Sequence, residues 1–454
     1  MKKKLIKYIF LIFAVLNFSC KKFTEINPPV SYLGQETLFQ NDDLAISAIG
    51  GIYSRMSSTQ EVNSINHLCG LSADELTNYN SGPGVAAFYD NQLTDLNTSN
   101  NTLFLDNYAY IYTANSIIEG LEKSNNLTPA VKLQLQGEAH FIRAFCYFYL
   151  VNLYGSIPVQ VITDYKENRT LPRSSIDKVY RQIVADLKIA EVSLTDKYVT
   201  TERVRPNLGA AQALMARTYL FLQDWTNAEK YATAVIDKGN IYSLVDLENV
   251  FLKNSSEAVW QLVPPVNTNT TEGQFFILTT SPTNVAVDNR LINDAFELGD
   301  KRKSNWLKSL TIATTTYYYP FKYKIRSSTT ITEYSTVLRL AELYLIRSEA
   351  RAQLNNLAGS IDDIDKLRNR AGVTLVKNTN ATITKTDLLD LILKERRAEL
   401  FTEWGHRWLD LKRTNRANVV LGAIKSTWLS TDLLYPIPYD EMSRNPNMIQ
   451  NPGY

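Results

Sequence analysis

The sequence predicts a mainly α fold: helical repeats forming a curved scaffold, with a loop-rich face that contains a few short strands. Three observations predict it. The chain has 454 residues, more than the roughly 250–300 at which a single core usually stops growing, so an elongated or divided body is expected. Apolar residues recur at helical spacing from Leu103 to Leu222 and again from Leu340 to Ala371. Residues 57–101 and 240–335 break that rhythm with clusters of Asn, Thr, Pro and Gly. The composition, 44% hydrophobic and 21% charged, is that of a folded protein and excludes global disorder. A mean hydropathy of −0.20 and a single long apolar run exclude a polytopic membrane protein. With 48 Lys+Arg against 46 Asp+Glu, no nucleic-acid partner is expected. The 26 tyrosines suit amphipathic contact surfaces.

Residues 1–19 read as an export address. Lys2, Lys3, Lys4 and Lys7 precede the apolar run Tyr8–Phe18, the order found in secretory signals. The run is too short for a comfortable membrane span of about 20 residues. Asn17-Phe18-Ser19-Cys20 resembles a bacterial lipobox, although Asn17 and Phe18 differ from its usual Leu and Ala. That resemblance makes Cys20 the first mature residue and the acceptor of acyl chains; each buried CH₂ contributes about 0.8 kcal/mol, so several chains anchor stably. Because residues 1–19 hold four lysines and no acid, the rest of the chain has 44 basic against 46 acidic residues, a net −2. Residues 20–40 form a lipidated tether with a rigid step at Pro28-Pro29, and 41–454 a single domain.

Within that domain a helix is expected from Asn41 or Asp42, as caps, to about Met56. Residues 57–101 are expected to be loop-rich. Leu105, Tyr108, Ile111, Tyr112, Asn115, Ile118 and Leu121 mark the next helix. Pro129 starts another, with Leu135, Ala139, Ile142, Phe145, Tyr149 and Leu153 on its apolar face, stopped by Gly155 and Pro158. A third spans about Ser175 to Ser193. Residues 207–238 resemble a tetratricopeptide unit: Ala213, Ala216, Tyr219 and Leu220 on one helix, Asp224 as cap, then Ala228, Tyr231, Ala232 and Val235. A looser copy occupies Leu340–Ala371. Short strands are expected at Ala258–Val263 and Tyr317–Ile325, the second confined to an edge by Pro320.

Cys146 lies in an apolar helical stretch and is expected to be a buried thiol; a bridge to Cys69 is the alternative. His67, His140 and His406 are scattered, and no Cys/His spacing fits a zinc site, so no metal is expected. No phosphate loop, nucleophile elbow or calcium loop occurs, and no cofactor is expected. Asp362, Asp363 and Asp365 are expected on a solvated helix face.

Four blocks carry a family resemblance. Gly137–Val151 runs into Tyr154-Gly155-Ser156-Ile157-Pro158. Val337–Ala350 is a later repeat helix. Glu395-Arg396-Arg397-Ala398-Glu399-Leu400 leads to His406-Arg407-Trp408-Leu409-Asp410-Leu411-Lys412-Arg413. The chain ends in Pro436-Ile437-Pro438, Glu441, Asn445-Pro446-Asn447 and Gln450-Asn451-Pro452-Gly453-Tyr454. In this order, and with the tether at 20–29, they resemble the SusD/RagB-like outer-membrane lipoproteins of Bacteroidetes. The resemblance implies a surface-exposed, lipid-anchored outer-membrane protein. It implies capture of oligosaccharides or other nutrients, delivery to a SusC-like TonB-dependent transporter, and no catalysis. Lys21-Lys22-Phe23-Thr24-Glu25 lacks the acidic run associated with surface export, which leaves the face of the membrane open.

The residues of these blocks also have a physical reading. Glu395, Glu399 and Glu403 recur at i,i+4 beside Arg396, Arg397, Arg407 and Asp410, as a buried ion-pair network would. Two of them as an acid–base pair is the catalytic alternative. His406 reads as a structural hydrogen-bonding group, and Trp404 and Trp408 as core anchors on one helix face.

Sugars present flat C–H faces to aromatic rings and hydroxyls to amides and carboxylates. Loop aromatics are therefore the candidate ligand contacts: Tyr79, Phe88 and Tyr89 with Asn78, Asn80 and Asp90, and Phe275 and Phe276 with Asn267 and Asn269. The competing role for Phe88, Phe275 and Phe276 is to pin their loops to the body. Two other functions are compatible with parts of the chain: a helical-repeat scaffold that binds only proteins, and a surface glycosidase.

Overall fold

The computed structural model describes residues 35–454 apart from 59–60 and 266–268. Cys20 and the export segment lie outside the described residues. Helices dominate, as the periodicity predicts. Pro129–Tyr154 is the central one. Pro129 opens it and Gly155, at φ 72°, ends it where a side chain would be strained. From Gly137 to Val151 every side chain is buried, because the helices Asp42–Ser58, Thr98–Lys123 and Ile176–Ser193 pack around it. The charged groups this burial encloses are paired: Glu138 with Arg205 and Tyr53, and Arg143 and His140 with Asp186. On Thr98–Lys123 the buried face is Leu103, Phe104, Tyr110, Ile111, Ile117 and Ile118. Tyr112, expected on that face, is exposed.

The repeat units form as expected. Leu208–Phe221 turns back into Trp225–Ile236, whose first turn is capped by Asp224 accepting from the Asn227 amide. Leu340–Gln353 turns into Leu357–Ala371, capped by Asn356. The two units pack side by side and are joined by the buried Arg217–Glu342 pair at 2.6 Å. Asp363 and Asp365 depart from expectation. Both are buried, Asp363 between Arg347 and Arg351 and Asp365 accepting from the Val376 and Lys377 amides.

Three two-stranded antiparallel ribbons complete the described architecture. β1 (Leu76–Asn78) pairs β3 (Val285–Val287), β2 (Ala258–Leu262) pairs β6 (Ser335–Arg339), and β4 (Leu307–Ile312) pairs β5 (Thr315–Pro320). The strand expected at Tyr317–Ile325 therefore begins earlier and ends at Pro320, which cannot donate to a ladder. Residues 57–101 are more ordered than expected: they contain the helices Glu61–Ser72 and Pro83–Tyr89 and the start of Thr98–Lys123. Asn66, Gly70 and Ser72 have weak helix propensity, but burial of Ile65, Leu68, Cys69 and Leu71 overrides it. Residues 240–335 likewise carry short helices capped by Thr270, Asp288 and Asp300.

The Glu395–Glu403 block is the buried ion network. Glu399 accepts from Arg302, Arg339 and Arg370, which hold its carboxyl far below the usual range against the opposing effect of burial. Glu395 pairs with Arg302 and Arg368, and Glu403 with Arg339 and Lys322. Every one of these carboxylates is occupied by cations. His406 is buried 4.0 Å from Glu342, and burial beside Arg217, Arg396 and Arg339 keeps it neutral. Trp404 and Trp408 are both buried, but not on one helix: Trp404, at φ 46°, sits in the turn before His406–Arg413. Gly405 next to it is left-handed, with Cys69 filling the space a Cβ would need. Cys69 is a buried free thiol pushed up to about 12 by burial, so no bridge joins it to Cys146.

Candidate functional site

β1 leads from the buried core to the surface. Asp74 and Glu75 lie at its root. Asp74 accepts from Arg397 and Arg407, and the Glu75 carbonyl accepts from the Asp288 amide at 2.8 Å. The chain then turns on its own side chains. Asn78 accepts from the Asn80 amide, Asn80 accepts from the Gly82 amide, and the Asn80 side chain donates to Asn284. These local bonds are the competing structure that Asn offers a backbone. They hold Tyr79 outward, 42% exposed, with its amide donating to the Asn284 carbonyl.

Tyr79 does not stand alone. Its ring meets Tyr317 of β5 edge-on, centroids 5.6 Å apart. Partial burial, then the neighbouring Tyr317, Tyr89 and Asp288, raise the Tyr79 hydroxyl above its ordinary value. Asp288 is gripped by Arg290 through two bonds, Nε at 2.8 Å and Nη2 at 2.6 Å, which outweigh burial and hold the carboxyl low. Tyr89, half-buried at the end of Pro83–Tyr89, lies under the Lys425 ammonium, 5.5 Å from the ring centre. Lys425 donates to the carbonyls of Leu71 and Ser72 and to Asn91, and burial lowers it to about 7. The result is an open surface of three tyrosines bordered by paired charges and amides. Larger concavities lie elsewhere, including one of about 340 Å³ between Tyr53, Arg205 and Pro264.

The structure brings together only part of the set read from the sequence. Tyr79 and Tyr89 share this face, Asn78 and Asn80 shape it from within, and Asp90 is exposed at its rim. Phe88 is a correction: it is fully buried, edge-on to Tyr435 at 5.3 Å, because a helix that presents Tyr89 turns Phe88 inward. Phe276 and Asn269 are buried as well. Asn269 spends its side chain on Thr330 and Thr332, and Phe276 packs edge-on to the half-buried Phe275, which lies on His67. Asn267 lies outside the described residues. The sequence reading does not include Tyr317, Asp288, Arg290 and Lys425. The run Tyr317-Tyr318-Tyr319 is a visible signal that also fits a strand; nothing local marks Lys425.

Glu75 makes the root of the face pH-sensitive. Burial raises its carboxyl to about 7, with the Thr402 amide opposing and the Asp74 charge adding, and Oε1 is buried without a hydrogen-bond partner. Its folded-state value exceeds its unfolded one, so its contribution is full below about 4.5 and is lost as pH rises through about 7. Glu75→Gln should remove this part of the pH dependence of the urea midpoint; an unchanged profile would show that Glu75 titrates normally.

Among the described residues no cluster of three His, Cys, Asp or Glu side chains is placed to hold a metal, and no helix is long and apolar enough to cross a membrane. Two family models match the chain, one described as the SusD family over residues 301–454 and one as starch-binding, associating with outer membrane, over residues 38–220. A SusD-like protein of Formosa agariphila, P25, is 25% identical, with 100% of this chain and 99% of that protein aligned. A SusD-like protein of Bacteroides ovatus is 24% identical over 90% and 82%. A solved SusD superfamily protein of Bacteroides vulgatus shares the fold at a TM-score of 0.81 and 20% identity, covering 92% of this chain and 100% of that one. A laminarin-binding SusD-like protein shares it at 0.77, 20%, 92% and 100%. These matches run across the repeat body, the ion-network block and the C-terminal segment described above: the chain belongs to the SusD/RagB-like family.

Proposed function

We propose that this protein binds carbohydrate at the Tyr79–Tyr317–Tyr89 face and performs no chemistry on it. The observation that carries the proposal is the exposed Tyr79 ring set edge-on to Tyr317, with Arg290, Asp288 and Asn80 beside it. Rings supply apolar contact for sugar C–H faces, and the bordering groups supply hydrogen bonds to hydroxyls. The starch-binding description of one family model and the laminarin-binding relative support the ligand class. A glycosidase would need two facing carboxylates in a cleft; the Glu395, Glu399 and Glu403 trio instead neutralises buried arginines.

Around this site the rest of the function is built from the sequence. Residues 1–19 direct export, Cys20 carries the acyl anchor, and 20–40 tether the domain 41–454 to the outer membrane, with the outer surface as its place. The captured oligosaccharide passes to a SusC-like TonB-dependent transporter, as the family resemblance implies.

Affinity gels and titration calorimetry test the reading with a panel of soluble polysaccharides. The panel includes starch and laminarin and their fragments graded from disaccharide to octasaccharide. Saturable binding without product is expected. Tyr317→Ala should remove about 2 kcal/mol or more of binding, the size of a central aromatic contact, while the urea midpoint stays put. Release of product, or full affinity in both Tyr317→Ala and Tyr79→Ala, would overturn it.

A further inference from the structure

We infer that the outer face of the β4–β5 hairpin continues this site as a track for an extended, linear oligosaccharide, with a second sugar platform at Tyr319 and Phe321. The inference rests on the carbohydrate reading above and adds the shape of the ligand. Side chains alternate along a strand, so Tyr317 and Tyr319 share one face of β5 and Tyr318 the other. Tyr318 packs against the core, which puts Tyr317 and Tyr319 outward. Their cross-strand partners, Leu310 opposite Tyr317 and Lys308 opposite Tyr319, share that outer face.

Two ring pairs stand at the hairpin. Tyr79 to Tyr317 is 5.6 Å and Tyr319 to Phe321 is 6.1 Å between centroids. Residues two apart on a strand are about 6.6 Å apart along it, which sets the backbone spacing of Tyr317 and Tyr319, the members of the two pairs that share β5. Both contacting pairs are close to perpendicular, at 84° and 83°. The row is thus two similar ring pairs in succession. A compact or single-ring ligand would use one pair; a chain of rings laid along the strand would use both.

The far platform is fixed and has its own donors. Lys324 donates to the carbonyls of Asn305 and Phe321, and its ammonium lies 4.6 Å from the Phe321 ring centre. Lys308, exposed, brings a second ammonium to 5.7 Å. Phe321 itself donates its amide to the Trp306 carbonyl at 2.7 Å, which ties the end of the hairpin to the body. Lys308 is therefore placed to donate to the hydroxyls of a sugar resting on Tyr319 or Phe321.

Calorimetry with the graded starch and laminarin fragments tests this on the intact protein. For a fragment series that binds, affinity should climb beyond the disaccharide and then level off. Tyr319→Ala should lose about tenfold, close to 1.4 kcal/mol, on the longer fragments and nothing on the disaccharide, so that the length dependence flattens. Tyr319→Phe should restore it, which separates a lost platform from a damaged hairpin. Length dependence intact in Tyr319→Ala, with binding abolished in Tyr79→Ala, would overturn the track and leave the site standing. Binding of no fragment would overturn both.

Discussion

Arg339→Ala should cost about 3–5 kcal/mol, because it takes one shared cation away from three buried carboxylates. Arg339 donates Nη1 to Glu257 at 3.0 Å and to Glu399 at 2.7 Å, and Nε and Nη2 to Glu403 at 2.7 and 2.9 Å. Its Nη2 also holds the Glu399 carbonyl at 2.8 Å. All four side chains are buried. Removing the guanidinium takes away five hydrogen bonds and leaves Glu399 to Arg302 and Arg370, Glu257 to Arg370 and Glu403 to Lys322, so three buried acids share less positive charge. The penalty is then a large share of the roughly 5–15 kcal/mol by which domains are stable. Arg416→Ala is the control. Its pair with Asp390 is half exposed, and exposed pairs contribute at most about 1 kcal/mol. Urea unfolding followed by circular dichroism separates the two. Equal midpoints for Arg339→Ala and the wild type would show that the network does not hold the domain. The effect should reach the Tyr79–Tyr317–Tyr89 face, since Thr402, one residue before Glu403, donates its amide to Glu75 at the root of β1.

Phe88→Ala should destabilise by about 3–5 kcal/mol, the cost of emptying a buried aromatic site, and leave glycan affinity of the folded protein unchanged. Phe88 has no exposed surface, and its ring closes against Tyr435, which in turn stacks on Trp408 at 6.0 Å. Its sequence neighbour Tyr89 is turned about 100° around the helix, under Lys425. Paired measurements of the urea midpoint and of affinity distinguish the roles. Lost affinity with an unmoved midpoint would return Phe88 to the binding surface.

The contrast between Phe88 and Tyr89 shows where the sequence stops being legible. Both are aromatic, adjacent and in a segment of loop-like composition. Only the packing of Pro83–Tyr89 on its neighbours decides which one faces water. The same holds for Asp363, whose charge suggested a solvated face. Arg347, one helix earlier, bonds it through both oxygens at 2.9 and 2.6 Å, which pairs the charge that burial encloses. The carboxylate trio was legible because its i,i+4 spacing is local, but the adjacent arginines bond elsewhere, Arg396 to Asp410 and Arg397 and Arg407 to Asp74. Its cations Arg302 and Arg370, far away in sequence, were not.

What the sequence determined by itself is the helical body: where Pro129 starts a helix, where Gly155 ends it, where Asp224 caps Trp225–Ile236. The blocks that mark the family were legible too. These depend on interactions within a few residues, which spacing and residue type record directly. Only the tertiary structure decided the candidate site. Tyr79, Asp288, Tyr317 and Lys425 come from four distant segments, brought together by the β1–β3 pairing, the β4–β5 hairpin and the bonds from Lys425 to Leu71 and Ser72. Contacts of that range leave no period in the sequence, because each residue's neighbours there are chosen by the packing of the whole body.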